Sequence, residues 1–487
     1  MKPEQRGALV LVGSAIALGV VADVVFYGRP LGINVAVFAL VFVAALALFL
    51  RASRAPFHQG RRWMIAPLVV FAALFAWHDS GLLRFANALA LVGAIALGAL
   101  RRSQPRPHEA TIADYAAGLV SAGAGTFAGT IDLLEREVPW AEAKRLRTAH
   151  AAAVGRGLAV GVPFLLVFGA LFLAADAVFR HLLESAIPTS IPRVWPQLLI
   201  AAGVAWASSG LLRDLGAHRE SVRLVPGDAL VARKPSFSLG GIEIAVALAA
   251  LDLLFAVFVV VQARYLFGGR SVVLGHEHLT YAAYARHGFF ELLAVSALVV
   301  PVVVVANTVT RDLRALASGL SAVLVLLELA VAASALQRMH VYVNEYGLTE
   351  LRVYAVGSII WLAAVLLWAM ATVVRGSARR FAVGVVLAGF AATLALNAVN
   401  PDALIARTNL DRPKVDPAYL ANLSDDAVPT LVARVPSIRN PALQASLAGA
   451  LLDRRFDRDL LGWNASRAAA RAAVDAHRSE LARLAGR

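Results

Sequence analysis

Long uncharged, apolar runs alternate with short charged ones from the start of the chain to Asn400, and there the alternation stops. A helix needs about 20 apolar residues to cross roughly 30 Å of hydrocarbon, so runs of that length read as membrane spans. They lie near 8–27, 31–50, 63–78, 82–100, 157–179, 194–213, 241–262, 288–307, 318–337, 353–374 and 380–399. The third is short, and a shallow or tilted segment is the alternative there. The pattern predicts an all-α fold, a polytopic transmembrane helical bundle of about 11 spans with a polar helical C-terminal tail. It divides into a four-span segment (1–100), a loop (101–156), a seven-span core (157–400) and the tail (401–487). Helical stretches are expected in the tail at Pro441 to Leu452 and from Ser466 to Leu484.

Composition strengthens the membrane reading. Of 487 residues, 59% are apolar and 16% charged, whereas soluble domains carry about 25% charge. The first run has no small-residue cleavage site behind it, so it is expected to remain as an uncleaved helix containing Asp23. The net charge of +14 would suggest nucleic acid in a soluble protein. Here cationic loops that orient helices on the lipid bilayer account for it, and no nucleic-acid partner is expected. The absence of cysteine excludes disulfides, thiol catalysis and thiolate metal sites.

The basic residues also set orientation. One set of alternating loops holds 24 Lys and Arg and the opposite set 9. The richer side is expected to be cytoplasmic, which places the N-terminus inside and, after an odd number of spans, the tail outside an inner membrane. The 101–156 loop is then cytoplasmic. Thr111 with Asp114 predicts a helix cap, and Ile112 to Glu137 predicts a Gly-rich amphipathic helix on the inner leaflet. A cryptic extra span is the alternative.

Charges inside hydrocarbon cost about 2.5–3.5 kcal/mol at mid-helix on insertion scales, so their placement is informative. Asp23, His78, Asp79, Arg84, Asp176, Gln262, Arg286 and Glu291 fall near predicted outer helix ends. There, interfacial anchoring or structural pairing competes with function. Asp252 and Glu328 sit deeper and are candidates for an intramembrane relay, or for neutral acids bonded to another helix. Three clusters stand out. Tyr284 through Glu291 carries Arg286, His287 and Glu291. Arg338, Tyr342, Glu345, Thr349 and Arg352 would form one helical stripe unless Gly347 breaks it. His276, Glu277 and His278 lack a third metal ligand by spacing. The candidate polar site is Asp176, Gln262, Tyr265, Tyr284, Arg286, Glu291, Tyr346, Thr349 and Arg352. No Walker loop, His-Glu-x-x-His helix or nucleophile elbow is present, so no catalytic residue, cofactor or metal is assigned. Asn464-Ala465-Ser466 matches a glycosylation sequon that matters only in a eukaryotic secretory setting.

Several segments together resemble a bacterial membrane family. They are Gln262 to Gly269, Tyr281 to Leu292, Tyr346 to Arg352, Asn400-Pro401-Asp402, Pro163 to Phe179, and Tyr419-Leu420 followed by Ser424 to Pro429. The family is of the numbered domain-of-unknown-function type, the four-one-seven-three set or its close relative. The resemblance implies a polytopic inner-membrane protein and brings no activity, substrate or cofactor. That family's pattern carries a carboxylate before Tyr284 and a second Arg after Arg286. This chain has Ala283 and His287 there, so a mechanism needing that charge pair is not implied.

Three functional readings follow. The leading one is a non-enzymatic membrane protein whose outer face and tail engage a cell-envelope partner or signal. The others are a proton-coupled transporter using Asp252 and Glu328, and an intramembrane enzyme acting on a lipid or envelope precursor through Arg286, His287 and Glu291.

Overall fold

The computed structural model describes residues 3–54, 59–100, 106–137, 161, 191–217, 240–267, 289–310, 312–412 and 415–487. Among them the chain is helical throughout, as expected. The membrane part comprises α1 (Pro3–Phe26), α2 (Ile33–Ser53), α3 (Gln59–Ala73), α4 (Gly81–Gly98), α5 (Ile112–Asp132) and α6 (Ile191–Ala217). It continues with α7 (Gly241–Phe267), α8 (Phe289–Val309), α9 (Arg314–Tyr346), α10 (Glu350–Ala369) and α11 (Arg379–Val399). Nine of these described helices are long and apolar enough to cross a membrane, all except α3 and α5. Helix α3 has 15 residues and ends in a 3-10 turn at Leu74–Ala76, the short segment the sequence foresaw. The span expected at 157–179 lies outside the described residues except for Gly161.

The spanning helices present apolar side chains outward, Leu253 at 68% and Leu298 at 64% exposure among them. In water this would be costly; against acyl chains it is the natural surface. Inside, one apolar cluster joins α1, α2, α3, α4 and α6, and a second joins α7, α8, α9 and α10. Helix α11 contributes to both, with Phe390 against Phe71 (ring centroids 5.1 Å apart) on one side and Phe381 on the other. Small residues bring backbones together where side chains would collide. A Cβ at Gly19 would overlap the α6 backbone at Ala201, and one at Gly210 would overlap α5 at Gly125.

Thr111 caps α5 in the expected capping box with Asp114, and the helix continues as a π-turn over Leu133–Glu137. It starts beside the end of α4, where Gly118 approaches Ala99. Its polar bonds to α6 fall at Trp206, Ser209 and Arg213, in that helix's last three turns.

Beyond Asn400 the chain forms α12 (Pro401–Leu410), α13 (Pro417–Ala421), α14 (Val428–Arg434), α15 (Pro441–Asp453), α16 (Ala465–Ala476) and α17 (Arg478–Leu484). The sequence signals are local. Asp416, Asn440 and Asn464 each cap a helix through their side chains, and Pro417 and Pro441 occupy the first position after the cap. The segment is helical, as the sequence implied, but it is more than a polar tail. Ile405, Leu420, Leu431, Leu447, Leu451, Val474 and Leu481 close a buried core of its own.

Candidate functional site

The C-terminal helices sit on one end of the bundle, and the seam between them gathers a dense set of buried polar groups. Three connections form its floor. The α1–α2 loop offers Leu31 to Asn34, the turn before α4 offers Trp77 to Ser80, and the α9–α10 turn offers Gly347 to Glu350.

Asp426 is central. It is 5% exposed, and its Oδ1 lies 2.7 Å from His78 Nδ1. Its Oδ2 accepts from the amides of Asp79 (2.9 Å) and Ser80 (2.7 Å) and from the Ser424 hydroxyl (3.0 Å). The Ser466 hydroxyl also donates to it. Burial pushes the Asp426 carboxyl upward, but bonds from His78, Ser466 and the Ser80 amide outweigh this and hold it below the usual carboxylate range. The His78 ring is 3% exposed, and its Nε2 has no hydrogen-bond partner.

From Asp426 the network continues inward. Ser424 donates its hydroxyl and amide to Asp402 Oδ2, the amide at 3.2 Å. Asp402 is fully buried, and its carboxyl also hydrogen-bonds that of Glu350. Two carboxyls in that position favour a proton on one of them, because like charges cannot share a dry site cheaply. Burial raises Asp402 above the usual range, the Ser424 bonds oppose, and the charge of Asp426 adds to the rise. Tyr419 accepts from the Glu350 amide at 3.0 Å, and Ser80 meets Tyr354 at 3.5 Å.

Ion pairs lock the rim. Asp79 pairs with Arg84 and, at 3.1 Å, with Arg467. Asp425 pairs with Arg454 at 2.8 Å, and Asp459 pairs with Arg29. Asn464, 2% exposed, donates to Phe75 O and His78 O, both at 2.9 Å. That buried amide is no glycan acceptor, so the sequon has no chemical meaning here. Backbone pairing adds Ile33 N to Trp463 O (2.8 Å) and Asn34 N to Leu461 O (3.1 Å). Asn409 bonds both Leu348 N and Leu348 O at 2.8 Å.

The sequence candidates distribute unevenly. Tyr346, Thr349 and Arg352 do meet at this end. The Arg352 guanidinium lies 4.1 Å over the Tyr342 ring and donates to Tyr346 O (3.2 Å) and Gly347 O. Of the two alternatives for Arg338 to Arg352, one stripe or a break at Gly347, the break is the one found. Gly347 at φ +80° ends α9, and Thr349 is the N-cap of α10, so the last two members belong to another helix. Gln262 is buried and accepts from Arg338, two turns below this clasp. Tyr265 lies in the last turn of α7, and Glu291 is exposed in the first turn of α8. Asp176, Tyr284, Arg286 and His287, with the His276 to His278 cluster, lie outside the described residues.

Asp252 and Glu328 are buried in the bundle. Helices α7 and α9 run parallel, with Gly241 against Asp312 and Gln262 bonded to Arg338, so the two acids share a height. Glu328 accepts from Ser296 of α8, its other oxygen has no partner, and both Asp252 oxygens lack one.

Among the described residues no group of three His, Asp or Glu is placed to hold a metal ion. The fold and seam define a multi-pass membrane protein with a helical cap on one end. Residues 65–433 match the family described as Domain of unknown function (DUF4153), and the chain belongs to that family. The match supports an uncharacterised numbered family, but under the number 4153 and not the four-one-seven-three set named from the sequence. It includes His78, Asp402 and Asp426 but ends before Asn464, Ser466 and Arg467. No curated protein and no solved structure matches the chain.

Proposed function

We propose that the protein is a non-enzymatic membrane protein whose C-terminal cap, held on the extracytoplasmic end of the bundle, engages a cell-envelope partner or signal. The observation that supports this most directly is the clamp. The cap is fixed to three inter-helix connections through buried bonds, so a load or ligand on the cap bears on the ends of α2, α4 and α10. Photocrosslinking from Leu460, 83% exposed on the cap, and from Arg434 in native membranes should trap one discrete adduct with the full-length chain. If neither position yields an adduct while the protein remains folded and inserted, the reading fails.

The pair Asp252 and Glu328 supports a second reading, proton-coupled transport, because unpartnered carboxyls at one height inside a bundle are costly unless used. Proteoliposomes carrying Glu328→Gln should then lose proton-driven uptake, and undiminished uptake would end that reading. No described geometry favours an enzyme.

A further inference from the structure

The end of the bundle opposite the cap holds a cavity of about 910 Å³. Its charge is one-sided. Arg106, Arg314, Arg379 and Arg380 line it with His108, and among the described residues Glu109 is the one acid in the lining. Glu109 already faces Arg106 at 3.5 Å and His108 at 3.8 Å. Arg314, Arg379 and Arg380 make no ion pair among the described residues.

Two further features point to an anion. Helices α9 and α11 both begin at this cavity, and neither first turn is capped by a side chain. In α11 the Arg380 and Phe381 amides bond Ser377 O and Ala378 O, so α9 supplies the open first-turn amides, and the positive dipole ends of both helices favour negative charge. In addition, Thr310 lines the cavity at 5% exposure, and its hydroxyl has no hydrogen-bond partner. A buried hydroxyl is rarely left without one.

The cavity does not end in solvent alone. A second hollow of about 470 Å³ shares His108 and Arg380 with it and runs onto the apolar face between α10 and α11. Trp63, Ala364, Trp368, Leu387 and Ala388 line this groove. Trp368 is held across it, its Nε1 donating to Arg380 O at 3.2 Å. Gly384 lies beneath, where a Cβ would overlap the indole. A cationic pocket continuous with an apolar, lipid-facing groove matches one amphiphile with a negative head and a hydrocarbon chain.

We propose that the arginine-lined cavity and this groove together bind an anionic phospholipid. Its phosphate lies against Arg314, Arg379, Arg380 and the Thr310 hydroxyl, and one acyl chain lies along Trp368 and Ala388. The site is independent of the cap and of the envelope reading.

The test is native mass spectrometry of the full-length protein in mild detergent, titrated with phosphatidylglycerol or phosphatidylcholine. Wild type should retain phosphatidylglycerol in preference to phosphatidylcholine. Arg314→Gln with Arg380→Gln should weaken retention about fivefold per arginine. Thr310→Val, which keeps the side-chain shape, and Ala388→Phe, which fills the groove without touching charge, should each weaken it as well. Elution volume and far-UV circular dichroism confirm that each variant folds. Equal retention of phosphatidylcholine overturns the proposal, as does retention unchanged in the folded arginine pair. Displacement of the lipid by millimolar inorganic phosphate, with Ala388→Phe inert, would assign the cavity to free phosphate and overturn the lipid assignment.

Discussion

The two ends of the bundle carry charge in opposite ways. At the capped end the described cations of the seam meet an acid or a carbonyl of the chain itself: Arg29 with Asp459, Arg84 and Arg467 with Asp79, Arg454 with Asp425, Arg412 with Val343 O. At the other end Arg314, Arg375, Arg379 and Arg380 stand without an ion pair among the described residues. Charge at the first end is spent internally, as structure. At the second, Arg213 is likewise paired, with Asp132 and Glu137, but these four arginines remain available to something outside the chain. Residue type alone does not separate these cases; partners do.

The comparison breaks most sharply at Asp426. Replacing it by alanine leaves His78 Nδ1, the amides of Asp79 and Ser80, and the hydroxyls of Ser424 and Ser466 facing an empty buried position. Removing one partner from a buried charged network costs about 3–5 kcal/mol. Asp426→Ala should therefore release the cap, detected as rapid proteolysis after Asn400 while the helix content of the bundle survives. A cap as resistant as wild type would show that the seam does not hold it.

Asp402 sharpens the same contrast with a smaller effect and a definite sign. Its folded pKa is raised by burial. Its contribution is therefore fully present below its unfolded pKa, about 3.9, and is lost as pH rises through the folded value. Asp426 runs the other way. Its lowered pKa contributes stability above the unfolded value, and that is lost as pH falls through the folded one. Asp402→Asn, which keeps the acceptor for Ser424 and can donate to Glu350, should make the cap more resistant to denaturant at pH 7 and leave it unchanged near pH 4. A loss of stability at pH 7 would mean that Asp402 is needed as an anion.

The physics that made the membrane fold legible did not make the seam legible. Span length, the Thr111–Asp114 capping box and the shortness of α3 are local, and periodicity or spacing exposes them. The cap's helices announce themselves through Asp416-Pro417 and Asn440-Pro441. The seam is a property of distant pairs. His78 and Asp426 are 348 positions apart, and nothing near either residue specifies the other. His78, Asp79 and Arg84 stood out singly as polar groups at a helix end, while Asp402 and Ser424 to Asp426 entered only through a family resemblance. Asn34 escaped notice, yet its side chain bonds Val25 O at 2.9 Å and Pro30 O at 3.0 Å and shapes the loop that the cap sits on. An Asn at a span's entrance was its one available signal. The candidates chosen for polarity near Tyr284 and Arg286 fall outside the described residues, and Glu291 points outward.

Gly347 tests the clamp from its backbone. At φ +80° it turns the chain between α9 and α10, and a Cβ there would meet Asn409 Oδ1 at 2.7 Å. At φ +80° and ψ 177° the backbone lies in a region essentially reserved for glycine, which costs an L-residue about 1–3 kcal/mol, and displacing Asn409 disturbs its two bonds to Leu348. Gly347→Ala should lower cap stability by that order, read from a denaturant midpoint in detergent, and less than Asp426→Ala does. An alanine as stable as glycine would mean that the turn relaxes and the clasp is dispensable.

The smallest effect belongs to the opposite end. Arg379 is exposed at the start of α11 and has no ion-pair partner among the described residues. Surface substitutions of that kind leave stability nearly unchanged. In lipid-free detergent Arg379→Gln should therefore unfold at the wild-type midpoint. When phosphatidylglycerol is added, wild type should gain more than the variant, because a ligand stabilises only the state that binds it. A midpoint shift in detergent alone would reveal an internal partner for Arg379 and remove the contrast between the two ends. Equal gains with lipid would leave the contrast standing and take Arg379 out of the lipid site.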